Sequence, residues 1–301
     1  MMAAEGGNII WFTYTGEENN IPDEATHIFV DVTFVRAGTF QGHPNVVEVI
    51  CHENVEKIEE WAFWRCPKLR RIVMPGVKEV EAQAFSTCPV LTDVECGKLE
   101  LIKHNAFGGS GLSSINLPSA RIVGRWAFNN CIDLTDVKFG NKLERIEEGA
   151  FYKCESLERI TIPLKDGLIA EDSIFQVCHD LRHVDLVEGE LNETMAALQF
   201  KQWGNYVRRE IDSINQILPT TYAGYFIDDE YEGYGEKARV IRTWIRSVLG
   251  QIIFYQARHQ QILNDAASTI RLVLPGDVVM NNVLSFLKLP PHTFELRNHE
   301  R

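Results

Sequence analysis

The chain has 301 residues, 45% hydrophobic and 24% charged, with a formal net charge of -12 and a pI near 5.3. This is globular composition, long enough for one large domain or two smaller ones. The acidic balance argues against nucleic acid or an anionic membrane surface as the default partner, since both require a surplus of Lys and Arg on one face.

At the start, the apolar run Ile9-Ile10-Trp11-Phe12 is short and has no basic segment before it, so it does not read as a signal peptide. No apolar stretch approaches the length of a membrane span. The seven cysteines are odd in number, form no Cys-x-x-Cys and stop at Cys178. Together these features predict a protein of a reducing compartment, intracellular and cytoplasmic. Residues 1–33 read as an N-terminal cap with a first strand at Ile28–Val32.

From there to residue 189 the chain repeats. Aligned on Phe40, Phe63, Phe85, Phe107, Phe128, Phe151 and Phe175, the spacings are 23, 22, 22, 21, 23 and 24. A small residue, usually Ala, precedes most of these aromatics. Three residues after them stand His43, Cys66, Cys88, Ser110, Cys131, Cys154 and Cys178. Apolar columns follow at Leu69, Leu91, Leu134 and Leu157, and at Ile72, Val94, Val137 and Ile160. A further column lies five residues before the aromatic, from Val35 and Ile58 to Ile146 and Ala170.

Each unit reads as a short helical corner, such as Gly149–Cys154, followed by a strand, such as Leu157–Ile162. One unit cannot bury its apolar face alone, whereas stacked copies make a continuous core. The prediction for 34–189 is therefore an α/β solenoid of about seven turns of 21–24 residues. The Phe107 copy is one residue short and carries Gly108-Gly-Ser-Gly111, which predicts a local kink. The Phe175 copy is long and has Ile174 in place of Ala, as expected of a terminal unit.

The pattern I-x-x-x-A-F-x-x-C-x-x-L-x-x-I-x-I-P resembles the BspA-type leucine-rich repeat over about residues 28–186. The resemblance implies a right-handed leucine-rich-repeat solenoid, although the Asn/Cys ladder of the commoner consensus is missing. The phrases Ile214–Pro219 and Leu274–Val283 are similar to those of algal members with a helical C-terminal tail.

Residues 190–301 read as that tail. Helices are predicted at Leu191–Leu218, from Glu236 to about Ala267, and at Asp277–Leu287. An acidic, Tyr- and Gly-rich loop spans 220–235. The two long helices are expected to cap the open end of the solenoid. The spacing of Arg239, Arg242 and Arg246 places them on one helix face.

For function, the cysteine column reads as core rather than as a metal or redox site, because no histidine column accompanies it. Cys178, His179 and His183 do not form a nucleophile–base pair, since Cys178 belongs to the core column. No paired carboxylates or phosphate loop emerge, so neither an enzyme nor a cofactor is expected. Trp61 and Trp126, two residues before their Phe, are expected to be partly buried by packing, with an aromatic patch for a partner as the alternative.

The period-2 alternation of the strands leaves outward pairs Glu48/Ile50, Arg71/Val73, Asp93/Glu95, Ser114/Asn116, Asp136/Lys138, Arg159/Thr161 and His183/Asp185. Solenoids use such extended faces to bind proteins. The candidate partner-binding residues are Arg71, Asp93, Glu95, Asp136, Lys138, Arg159 and His183. Two alternatives stand beside this reading. Leu274–Leu287 resembles the opening of an F-box, which would make the chain an adaptor, and the helical tail could mediate self-association.

Overall fold

The computed structural model describes residues 9–16, 21–187, 201–221 and 236–271. The predicted helix Asp277–Leu287, the F-box-like segment, nearly all of the acidic loop and the start of the first tail helix lie outside the described residues.

The strands in chain order are β1 (Trp11–Tyr14), β2 (His27–Val30), β3 (Phe34–Val35), β4 (Glu48–Cys51), β5 (Lys57–Ile58), β6 (Arg71–Val73), β7 (Glu79–Val80), β8 (Asp93–Glu95), β9 (Leu101–Ile102), β10 (Ser114–Leu117), β11 (Ile122–Val123), β12 (Asp136–Phe139), β13 (Arg145–Ile146), β14 (Arg159–Ile162) and β15 (His183–Leu186). All pair in parallel, each with its counterpart one coil away. The main sheet consists of two ladders, β1-β2-β4-β6-β8 and β10-β12-β14-β15. A second sheet of two-residue strands runs β3-β5-β7-β9-β11-β13. The predicted first strand is β2, and β1 extends the sheet one strand further.

Between the sheets lies the core. The seven phenylalanines are fully covered and stack with centroids 4.7 to 5.7 Å apart and ring planes within 2° to 11°. Each ring covers the next, so the large apolar area of every coil is removed from water by its neighbours. The cysteine column does more than fill space. Cys66, Cys88, Cys131, Cys154 and Cys178 each donate S–H to the Phe carbonyl of the preceding coil, at 3.0 to 3.2 Å.

The corners are turns rather than helices, except that Asp172–Phe175 of the last corner forms a 3-10 helix. Two residues in each of the first six corners are left-handed, including Trp61 (φ 57) and Arg65 (φ 58), or Gly149 (φ 60) and Lys153 (φ 59), whereas the Phe175 corner has one, Val177 (φ 63). Such a residue costs roughly 1–2 kcal/mol. The conformation aims backbone N–H groups at the neighbouring coil, as in Phe63 N to Ala84 O (2.8 Å) and Arg65 N to Ser86 O (3.0 Å). A helical corner would instead spend those donors within its own turn.

The shortened Phe107 copy marks a seam. A Cβ on Gly111 would lie 2.3 Å from the Pro89 carbonyl oxygen, so this coil closes tightly on the preceding one. Its strand β10 does not pair with β8, and the main sheet is interrupted there while the second sheet continues. Val94, the inward residue of β8, is in consequence partly exposed, whereas Ile72 and Val137 are fully buried. In the Phe175 copy the insertion shifts the register: Ile169, not Ala170, takes the position that pairs with Ile146.

The tail helices are α1 (Lys201–Ile217) and α2 (Glu236–Arg271). Trp244 Nε1 donates to the Glu210 carbonyl at 3.0 Å and ties them together. They satisfy backbone groups that a further coil would otherwise bond. Asn215 Oδ1 accepts from Val184 N at 2.9 Å. Lys237 Nζ donates to the His179 and Leu181 carbonyls, both at 2.9 Å. Arg242 Nε donates to the Ile169 carbonyl at 2.7 Å and its Nη2 pairs with Asp172 at 2.7 Å, while Arg246 pairs with Asp166 at 3.0 Å.

Candidate functional site

The outward positions of the main sheet align in the predicted register. Glu48, Arg71 and Asp93 form one row across β4, β6 and β8, and Ile50, Val73 and Glu95 form the next. Beyond the seam, Asp136, Arg159 and His183 form one row and Lys138, Thr161 and Asp185 the other.

The seam thus splits the seven candidate residues into two groups. In the first, Arg71 sits among three carboxylates: Nη1 to Glu48 at 3.0 Å, Nε to Asp93 at 3.0 Å, and Nη2 to Glu95. The hydrogen bond that Arg71 donates to the Glu95 carboxylate is the main reason that the guanidinium pKa is raised. In the second, Arg159 lies 3.8 Å from Asp136 and also pairs with Asp185, while Lys138 is 3.9 Å from Asp136. Exposed pairs of this kind contribute only about 0–1 kcal/mol each. Their consequence is positional: long side chains are held in a fixed array on rigid strands.

A second feature of this face was not among the candidates. In the first group of strands, Phe29, Ile50 and Val73 are consecutive partners in one row, all outward and partly exposed. Beside them Trp11 is 51% exposed and lies 4.9 Å from the His27 ring. The signal was present in the alternation, which gave Ile50 and Val73 as outward residues.

Trp61 and Trp126 are partly buried, each 43% exposed, on left-handed corner backbone. Trp61 Nε1 donates to Gln83 Oε1 on the next coil. Trp126 lies across Gly149, where a Cβ would come within 2.3 Å of the indole. A recess of about 460 Å³ over the second sheet is lined by Lys103, His104, Arg125, Arg145, Glu81 and Glu147. Its charges are largely spent on one another or on neighbours: Arg145 pairs with Glu147, Arg125 with Glu148, and Lys103 with Glu79.

All seven thiols are buried and free. Burial pushes Cys51, Cys96 and Cys178 up to about 12 and Cys131 to about 11, away from the thiolate that a nucleophile or metal ligand requires. Among the described residues no group of three His, Cys, Asp or Glu is placed to hold a metal ion. No helix among them is long and apolar enough to cross a membrane.

Residues 24–122 and 100–205 match the BspA type Leucine rich repeat region, in six copies, which spans more than half of the chain. The chain belongs to the BspA-type leucine-rich-repeat family. Solved structures similar to this BspA-type chain include a leucine-rich repeat protein of T. pallidum, with 23% identity, 60% of this chain and 70% of that one covered, and a TM-score of 0.37. The pneumococcal vaccine antigen PcpA is similar at 18% identity, over 59% of this chain and 54% of its own, with a TM-score of 0.38. No curated protein sequence matches the chain.

Proposed function

We propose that this BspA-type chain is a non-catalytic protein-binding module that presents the exposed face of its main sheet to a protein partner. The observation that carries the reading is the pair of ion-pair clusters centred on Arg71 and Arg159, fixed in register on rigid strands. Charges held this way lose little freedom on docking, so the ordering cost of association is low. They also suppress wrong partners by like-charge contact.

The test is to recover a bound protein with the full chain as bait and then reverse Arg71, Asp136 and Arg159 to the opposite charge. Loss of binding, with Arg125→Glu in the corner before Phe128 as an indifferent control, supports the face. Undiminished binding by the triple variant removes it.

A specific observation also favours self-association through the helices: Ile217, at the end of α1, is 47% exposed. Sedimentation of the full chain and of Ile217→Glu tests this second reading. A concentration-independent monomer in both cases ends it.

A further inference from the structure

The main-sheet face is not uniform. On β10, β12, β14 and β15 every outward pair is polar or charged: Ser114/Asn116, Asp136/Lys138, Arg159/Thr161 and His183/Asp185. On β2, β4 and β6 one outward row is apolar, Phe29-Ile50-Val73, and its next member on β8 is Glu95. The row therefore runs from aromatic to aliphatic to carboxylate, and it stops at the seam.

The charges at that end do not balance. Arg71 is the one guanidinium among Glu48, Asp93 and Glu95, and with the His27 imidazole 3.5 Å from Glu48 in its neutral form this leaves two carboxylates in surplus. Asp93 and Glu95 are also the more open of the three, each with a side chain 54% exposed against 20% for Glu48. A partner that covers the apolar row thus meets net negative charge at the seam end.

The spacing selects a shape. Adjacent coils in a parallel ladder are ~4.8 Å apart, so Phe29 to Glu95, three coils on, is roughly 14 Å. An extended peptide advances ~3.4 Å per residue, so residues i and i+4, which share a face, are also roughly 14 Å apart. Residue i+2 of the same face falls over Ile50 and Val73.

We infer that the β1–β8 half of the face binds an extended peptide segment of the pattern apolar-x-apolar-x-basic, with the apolar side chains over Phe29, Ile50 and Val73 and the Lys or Arg at Asp93 and Glu95. This rests on the reading of the main-sheet face as the protein-binding surface and assigns the chemistry of its partner. The apolar contacts supply desolvation, and the surplus carboxylates set direction along the row. The net acidity of the chain steers a basic segment toward it.

The experiment uses the full chain and fluorescein-labelled peptides built on Val-Thr-Val-Thr-X, with X as Arg, Gln or Glu, read by fluorescence polarisation. The expected order of affinity is Arg, then Gln, then Glu, with about tenfold between the extremes at low salt and less at high salt. Asp93→Asn with Glu95→Gln flattens the order. Ile50→Thr with Val73→Thr weakens all three peptides; these are outward strand positions that Thr occupies well, and an unchanged melting temperature confirms the fold. Equal or tighter binding of the Glu peptide, or no binding of any peptide, overturns the inference. If Asp136→Asn with Asp185→Asn removes the preference instead, the face still binds but the assignment to this half is wrong. The charge-reversal capture experiment tests the face itself independently of these peptides.

Discussion

The ammonium of Lys237 donates to the carbonyl oxygen of Leu181 at 2.9 Å, across the junction between the last coil and the helical cap. A lysine is only 2% exposed there because it replaces a missing coil. Burial lowers its pKa to about 8. Lys237→Met leaves the His179 and Leu181 carbonyls without these donors, and the expected loss is about 1–3 kcal/mol per buried unsatisfied group. A fall in the urea midpoint measures it; an unchanged midpoint contradicts the capping role.

The same group sets a pH dependence. Its folded pKa of about 8 lies below the ordinary 10.5, so between these values the unfolded chain binds more protons. The penalty for burying the charge is full below about 8 and fades as pH rises toward 10.5. The buried thiols act in the opposite direction above their ordinary 9.0, because their folded pKa is raised. The informative quantity is therefore the difference between the parent and Lys237→Met. The stability advantage of the parent should grow from pH 7 to pH 9.5 in urea titrations at the two values.

Phe151 lies between Phe128 at 5.3 Å and Phe175 at 5.7 Å in the aromatic stack. Phe151→Ala opens a cavity that the two neighbouring coils cannot close, and about 3–5 kcal/mol of stability should be lost. Calorimetry on the full chain checks this.

Gly149 and Trp126 should be coupled. Gly149→Ala is strained both by φ +60 and by an indole 2.3 Å from the new Cβ. Trp126→Ala removes the second cause and leaves the first. A double-mutant cycle should therefore show the two substitutions together costing less than their sum. Strict additivity would mean that the indole does not rest on Gly149.

Thiol labelling tests the cysteine column. With all seven thiols buried, a water-soluble disulfide reagent should modify the folded chain far more slowly than the unfolded one, where all become accessible. Rapid reaction of Cys154 or Cys178 in native buffer would contradict their place in the core.

The Phe, Cys, Leu and Ile columns were legible because each coil contributes one residue to each column and every copy is under the same packing constraint. The main-sheet register followed from the two-residue alternation, as the pairing of Arg71 with Asp93 and of Asp136 with Arg159 bears out. The second sheet was not legible as strand, because two-residue segments such as Lys57–Ile58 are too short to show alternation. The corner looked helical from its Ala-Phe composition, yet its donors serve the neighbouring coil. The Gly108–Gly111 run did announce the irregular coil, but not that the main sheet would part there. Lys237 was invisible: one lysine in the first turn of a helix carries no pattern, and only the carbonyls of His179 and Leu181 explain it.

The most direct measurement is carboxyl footprinting of the full chain, free and in complex with a protein recovered by it. Protection of Asp93, Glu95, Asp136 and Asp185, with Glu144 and Glu148 on the other side unchanged, is the expected result. Protection confined to Glu144, Glu148 or the helices would show that the partner is read elsewhere and that the main-sheet face is only a solvated surface.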